Sequence, residues 1–251
     1  SLQIGQGCGL TCNLYTTRSI GWTNYIGTNG LKIAMNAALS SETPSNGPLE
    51  PLDFSGGNIQ WGFDVDYPII RSRSENLDVG ASFTLANNKT KTFAGTLTQD
   101  HVRKVDISGD YSLILADNSF NLVHLSITQG LPILAQTEDS DANKSRSNGS
   151  AVFTNVNIQA ARTQAILPSI PELRGTSGYM ALQGQIAVTD PLLSSSQCFY
   201  GGADIGRGYD SGALSADHCL MGTIELRHDW YQNTLGAQVY AFGDAAYLRR
   251  K

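Results

Sequence analysis

The residues of this 251-residue chain that could do chemistry are few and scattered. Its four histidines, His101, His124, His218 and His228, form no pair at metal-ligand spacing. No G-x-S-x-G nucleophile elbow and no H-E-x-x-H zinc motif occurs. Gly5-Gln6-Gly7-Cys8-Gly9 is glycine-rich but lacks the spacing of a dinucleotide loop and leads into no helical period, so it reads as a flexible loop beside a cysteine pair. Asn88-Lys89-Thr90, Asn143-Lys144-Ser145 and Asn148-Gly149-Ser150 match the glycosylation acceptor pattern, which often arises by chance. This inventory predicts neither an enzyme nor a bound cofactor or metal.

Two other groups of residues carry more information. Cys8, Cys12, Cys198 and Cys219 are an even set, suited to an oxidising compartment. Cys198 and Cys219 flank one long connection, where a disulfide would staple its base, and Cys8 and Cys12 would pair locally through a turn at Gly9. Four free thiols or an unrelated metal site are the alternatives. Inside the long connection, Arg207 stands between Gly206 and Gly208 and is followed by Tyr209 and Asp210. Glycines let a loop fold tightly, and arginine brings a rigid fork of donors suited to a buried carboxylate.

The elements that position these residues follow from a two-residue period. In 58–67 every odd residue is large and apolar (Ile59, Trp61, Phe63, Val65, Tyr67) and every even one polar or glycine. The same rule runs through 31–39, 77–85 and 105–113, and less regularly through 12–24, 121–128, 152–163, 178–188, 220–227 and 236–246. These make about ten strands of roughly 9–11 residues, the length a tilted strand needs to cross a bilayer. Charged residues are only 16% of the chain, yet no apolar run approaches a membrane helix. A net charge of −5 argues against a nucleic-acid partner.

Connections sort by parity. Short ones at 25–30, 68–76, 116–120 and 228–235 and a medium one at 167–177 alternate with long ones at 40–57, 86–104, 130–150 and 189–219. Outer-membrane barrels have short periplasmic turns and long external loops. A soluble β-sandwich has no reason to sort its loops this way. The polar loop 137–150 reads as mobile. The fold class expected is all-β, an antiparallel transmembrane β-barrel whose lumen is lined by Asn58, Gln60, Asp64, Asp66, Asp106, Asp110, Gln183, Gln185, Glu225 and Arg227.

The run from Gly201 to Asp244 resembles the two-partner secretion transporters, outer-membrane pores that export haemolysin-like and filamentous-haemagglutinin-like proteins. It carries Gly201-Gly202, then Gly206-Arg207-Gly208-Tyr209, then Ala216-Asp217 before a strand reading Glu225-Leu226-Arg227, then Phe242-Gly243-Asp244-Ala245-Ala246, where Ala246 replaces the usual glycine. Upstream, Tyr67-Pro68-Ile69-Ile70-Arg71-Ser72-Arg73 is similar to a turn of the same family. The resemblance implies a sixteen-stranded barrel preceded by two periplasmic POTRA domains. On that expectation the chain is a fragment of about ten strands, lacking both POTRA domains and three strands at each end. It further implies a secreted partner protein with an N-terminal secretion domain, contact with outer-membrane lipid in a Gram-negative bacterium, and no cofactor. A barrel-assembly insertase of the same superfamily, a diffusion porin and an adhesive β-sandwich are the rival readings. Facing on the strands adds that Asp244, Glu225 and Arg227 point into the lumen, and the family motif implies that Arg207 folds back to pair with Asp244.

Overall fold

The computed structural model describes residues 2–8, 14–43, 52–166, 169–170, 173–232 and 235–251. Its strands, in chain order, are β1 (Leu2–Cys8), β2 (Leu14–Ile26), β3 (Leu31–Thr43), β4 (Ser55–Arg71), β5 (Glu75–Thr92), β6 (Gly95–Ile114), β7 (Phe120–Gly130), β8 (Thr154–Ala165), β9 (Thr176–Ala187), β10 (Cys198–Tyr200), β11 (Leu214–Ala216), β12 (His218–Gln232) and β13 (Leu235–Arg249). Eleven of them form one antiparallel sheet in the order β1 to β9, β12, β13, and β10 and β11 form a separate small hairpin. β1 and β13 are the two edges of the large sheet.

Alternation decides which face is which. Neighbouring strands hold Ile20, Ala37, Trp61 and Leu85 in one register row, and the residues two further along each strand keep to the same face. Large apolar side chains on this face lie open: Trp61 is 57%, Ile107 64% and Ile224 66% exposed. A sandwich would bury such a face against a second sheet. An isolated apolar face this broad matches a lipid-facing wall.

The opposite face is polar and cross-linked between strands. Lys32 pairs with Asp66 at 2.8 Å, Asn36 donates to Asp64 at 2.9 Å, Asn58 bonds Asn88, Thr128 donates to Asp106 at 2.5 Å, and His124 lies 2.7 Å from Asp110. These side chains satisfy one another on the wall that would meet water, which is the lumen side of a barrel.

Three expectations need correction. The glycine-rich opening is not a loop: Leu2–Cys8 pairs residue for residue with β2. Strands β4, β5 and β6 are longer than a bilayer requires, at 17, 18 and 20 residues. The span 86–104 is not a long connection, because β5 and β6 continue through it and meet at a tight turn on Phe93 and Ala94, closed by Gly95 at φ 117°. Alternating Thr and Lys residues, Lys89-Thr90-Lys91-Thr92, keep the strand habit going above the apolar belt. At the opposite end the turns stay short. The bulge between Pro68 and Ile70 places the proline where a lost N–H bond breaks no ladder.

Two small cores close the long-loop end. Val102, Ala151, Phe153, Ala187, Leu192 and Leu193 form one, made of Val102 within β6, Ala187 at the end of β9 and the connections β7–β8 and β9–β10. The other joins Tyr200 and Ile205 to Cys219 and Met221. Cys219 and Met221 share the polar face of β12 with Thr223 and Glu225, so the β10–β11 hairpin lies against the lumen wall. Cys198 is disulfide-bonded to Cys219 with a Cα separation of 6.6 Å, which fastens the hairpin's first strand to that wall. The proposed Cys8–Cys12 pair lies outside the described residues.

Peptide mapping of protein taken from the outer membrane, without reductant, should recover residues 198 and 219 on one linked fragment. Cys198→Ser should weaken the attached hairpin by up to about 3 kcal/mol on the loop-entropy account. Free thiols at both positions would contradict the staple.

Candidate functional site: an arginine hairpin on the lumen wall

The site begins with strand facing. Thr223, Glu225 and Arg227 alternate along β12 and stand opposite Asp244, Phe242 and Tyr240 of β13. All six share the lumen face. The connection from β9 leaves the long-loop end, forms the β10–β11 hairpin and descends this wall from Cys219 toward Glu225, a strand distance of roughly 20 Å.

Arg207 sits at the bottom of the descent and uses its whole fork. Nε donates to Asp244 Oδ2 at 3.2 Å and Nη2 to Asp244 Oδ1 at 2.8 Å, a bidentate pair. Nη1 donates to Glu225 Oε1 at 2.6 Å, and Nη2 also to Thr223 Oγ1 at 2.6 Å. Glu225 is shared, since Arg227 Nε donates to its Oε2 at 2.6 Å. The guanidinium lies 3.7 Å from the centroid of the Phe242 ring, and Arg227 lies 4.2 Å from that of Tyr179. Backbone completes the set: the N–H groups of Gly206 and Arg207 both donate to Asp244 Oδ2 at 3.0 Å. The network holds two carboxylates and two guanidiniums, so its formal charge cancels.

Only one of the flanking glycines is required by conformation. Gly206 has φ 83°, and a Cβ there would meet Tyr200 and the Gly201 nitrogen at 2.8–2.9 Å. Gly208 has open space around it and no such φ. Tyr209 does not join the charge network. Its ring packs on Tyr200 at 5.3 Å and its N–H closes a turn onto Gly206 O at 2.9 Å.

A second network, not foreseen as a unit, fixes the mouth. Asp217, fully buried, accepts from Arg146 Nη1 at 2.6 Å and Nη2 at 3.1 Å, from the Leu192 and Lys251 N–H groups at 2.9 and 2.8 Å, and from Gln197 Nε2 at 3.3 Å. The loop 137–150, expected to be mobile, is thereby tied down through Arg146 and through Ser145, whose N–H donates to Asp100 at 2.9 Å. Burial alone would push the Asp217 carboxyl up. The Arg146 fork and the two backbone donors outweigh that and hold it below the usual carboxylate range. Ala216-Asp217 stood out in the sequence. Arg146, in a run of polar residues, carried no signal.

Among the described residues no group of His, Cys, Asp and Glu gathers as a metal site. His101 faces Ala135 O at 3.0 Å, His228 Thr176 at 2.8 Å, and His124 Asp110. The arrangement is suited to holding a segment of chain inside a polar channel.

Residues 34–251 match the model of the haemolysin secretion/activation protein ShlB/FhaC/HecB family. The chain belongs to that family. Its members are the β-barrel transporters of two-partner secretion in the Gram-negative outer membrane. Among solved structures the chain is similar to CdiB from Escherichia coli, with a TM-score of 0.75 at 11% identity, over 96% of this chain and 44% of that one. It is similar to CdiB from Acinetobacter baumannii, with 0.73 at 13%, over 99% and 43%. BamA from Haemophilus ducreyi lacking POTRA domains 1–3 gives 0.59 at 10%, over 95% and 50%. These likenesses establish the fold. The chain spans less than half the length of the two CdiB chains. No curated protein matches it in sequence.

Because the Asp217 carboxyl titrates lower folded than unfolded, its anchoring should be complete above about pH 4, the unfolded carboxylate value, and be lost as pH falls through the lower folded value. Limited proteolysis of loop 137–150 across pH should show protection at neutral pH and cleavage in strong acid. In Asp217→Asn the loop should be cut at neutral pH as well. Equal protection in both proteins would show that Asp217 does not hold the loop.

Proposed function

We propose that this chain forms the channel wall of a pore that exports an unfolded partner protein, haemolysin-like or filamentous-haemagglutinin-like, from the periplasm to the cell surface. The observation that carries the reading is the Arg207 hairpin, held within a polar lumen by side chains of two adjacent strands rather than left free outside. A passive conduit needs a polar wall and an element that can narrow or reshape the passage. Nucleotide chemistry is not required, and the partner would be recognised through its N-terminal secretion domain.

Completion of the pore belongs to the same proposal. β1 and β13 are edges, and unpaired backbone groups cost several kcal/mol each in hydrocarbon. Five further strands, two beside β1 and three beside β13, would complete a sixteen-stranded barrel from the eleven-stranded sheet, and POTRA domains would capture the partner in the periplasm. The span of under half the CdiB chains supports this.

Arg207→Ala in the full-length protein should leave heat-resistant barrel in the outer membrane while export of the partner falls at least about tenfold. Arg207→Lys, which keeps the charge but loses the planar fork, should also fail to restore full export. Partner levels in the medium and in the periplasm read the result. Normal secretion by Arg207→Ala would overturn the role assigned to the hairpin.

A further inference from the structure

The apolar outer face of the sheet ends at a sharp chemical boundary. The row containing Trp61 and Leu85 continues in register onto Arg103 of β6. One step toward the long-loop end, Leu39 and Ile59 are flanked by Arg18 on β2. Beyond them, Lys89 and Lys91 stand on the same face of β5, opposite Gly57 and Ser55. Arg18, Lys89 and Lys91 line one depression of about 750 Å³ together with Leu39 and Ile59. A smaller, apolar depression of about 360 Å³, between Trp22, Met35, Trp61 and Phe83, lies next to it on the lipid side.

The charge here is unbalanced. Among the described residues, Arg18, Lys89, Lys91 and Arg103 form no ion pair. Arg103 donates only to the neutral carbonyls of Leu134, Ala86 and Val102, at 3.0–3.1 Å. Of the nearby acids, Glu42 and Asp100 fall on the opposite, lumen parity of their strands, and Asp53, two residues before Ser55, forms no ion pair among the described residues. Four uncompensated cations thus gather on one wall of a chain whose net charge is −5. A lumen partner cannot reach this face. A soluble ligand would not need the apolar rows directly beneath it. The level immediately beyond the apolar belt is where lipid headgroups lie.

We propose that this shelf binds the phosphate of an outer-leaflet glycolipid of the lipid A type. Arg18, Lys89 and Lys91 take the phosphate by charge-assisted hydrogen bonds, and the acyl chains run over Leu39, Ile59 and Trp61. The site rests on the reading that the long-loop end is the external one. Bound there, the lipid fixes the height of the β2–β6 wall in the membrane, on the side of the sheet away from the Arg207 hairpin.

The test uses the full-length protein in phosphatidylcholine nanodiscs, titrated with bis-phosphorylated lipid A and with dephosphorylated lipid A, and read by native mass spectrometry. Wild type should retain the phosphorylated lipid by at least about tenfold over the other, as expected for several cations facing an anionic headgroup. The Arg18→Ser/Lys89→Ser/Lys91→Ser protein should lose that preference, Lys91→Ser alone should lose part of it, and Arg249→Ser should keep it. No preference in wild type, an unchanged preference in the triple variant, or an equal loss in Arg249→Ser would each overturn the site. Orientation is read separately by labelling Ala94→Cys on intact cells with a membrane-impermeant maleimide. Labelling from outside supports the external assignment, and absence of labelling would overturn it and the lipid site together.

Discussion

A guanidinium on the inner wall of a barrel is stable only where carboxylates and dipoles replace the water it loses, and the Arg207 site is built around that demand. The side chain is 13% exposed, while Asp244 and Glu225 are 6% and 7% exposed. Ion pairs in open solvent contribute about 0–1 kcal/mol. Removing one partner from a buried, fully bonded group costs about 3–5 kcal/mol, because the remaining charge is left unpaired. The low exposure and the bidentate geometry place this pair nearer the second case, with some relief from lumen water. The rest of the arrangement follows. Gly206 must adopt its positive φ so that two backbone N–H groups reach Asp244, and Asp244 must stand next to Glu225 and Thr223 across the β12–β13 register.

The hairpin is held at three heights by three kinds of chemistry. A covalent staple joins Cys198 to Cys219 near its base. Apolar packing of Tyr200 and Ile205 on Met221 holds its middle. The ion network holds its tip. At the mouth, Asp217 gathers the β7–β8 loop, the segment leading into the hairpin and Lys251, two residues past β13, onto one carboxylate. Tip and mouth networks use different residues, so the two ends can release independently. For the export pore proposed above, such separable contacts would let the tip move while the mouth stays tied.

Much of this was legible in the residues themselves. Strict alternation in 58–67 and 77–85 marked the strands and their faces, because a period of two admits no other regular structure. The parity of Glu225, Arg227 and Asp244 put all three on one wall, and the Gly-Arg-Gly-Tyr element singled out the hairpin. Less legible was anything that depends on register between distant strands. Thr223 joins the site only because it faces Asp244, and the Phe242 ring lies under Arg207 only because it faces Glu225. Arg146 and Asp217 are 71 residues apart and share no pattern. The strand extensions through 86–104 look like loop in sequence because charged residues replace apolar ones once the sheet leaves the bilayer, while the backbone pairing continues with one register shift between Thr90 and Lys91.

The central claim is that Arg207 and Asp244 hold the hairpin as a pair, and a double-mutant cycle on hairpin release measures it most directly. In full-length protein carrying Ile205→Cys as a buried reporter, thiol labelling rates give the opening free energy for the parent, Arg207→Ala, Asp244→Ala and the double variant. The account predicts that each single change eases opening and that the double change adds little, with a coupling of at least about 2 kcal/mol. Additive effects, or labelling as fast in the parent as in the variants, would mean that the arginine does not anchor the hairpin in the lumen.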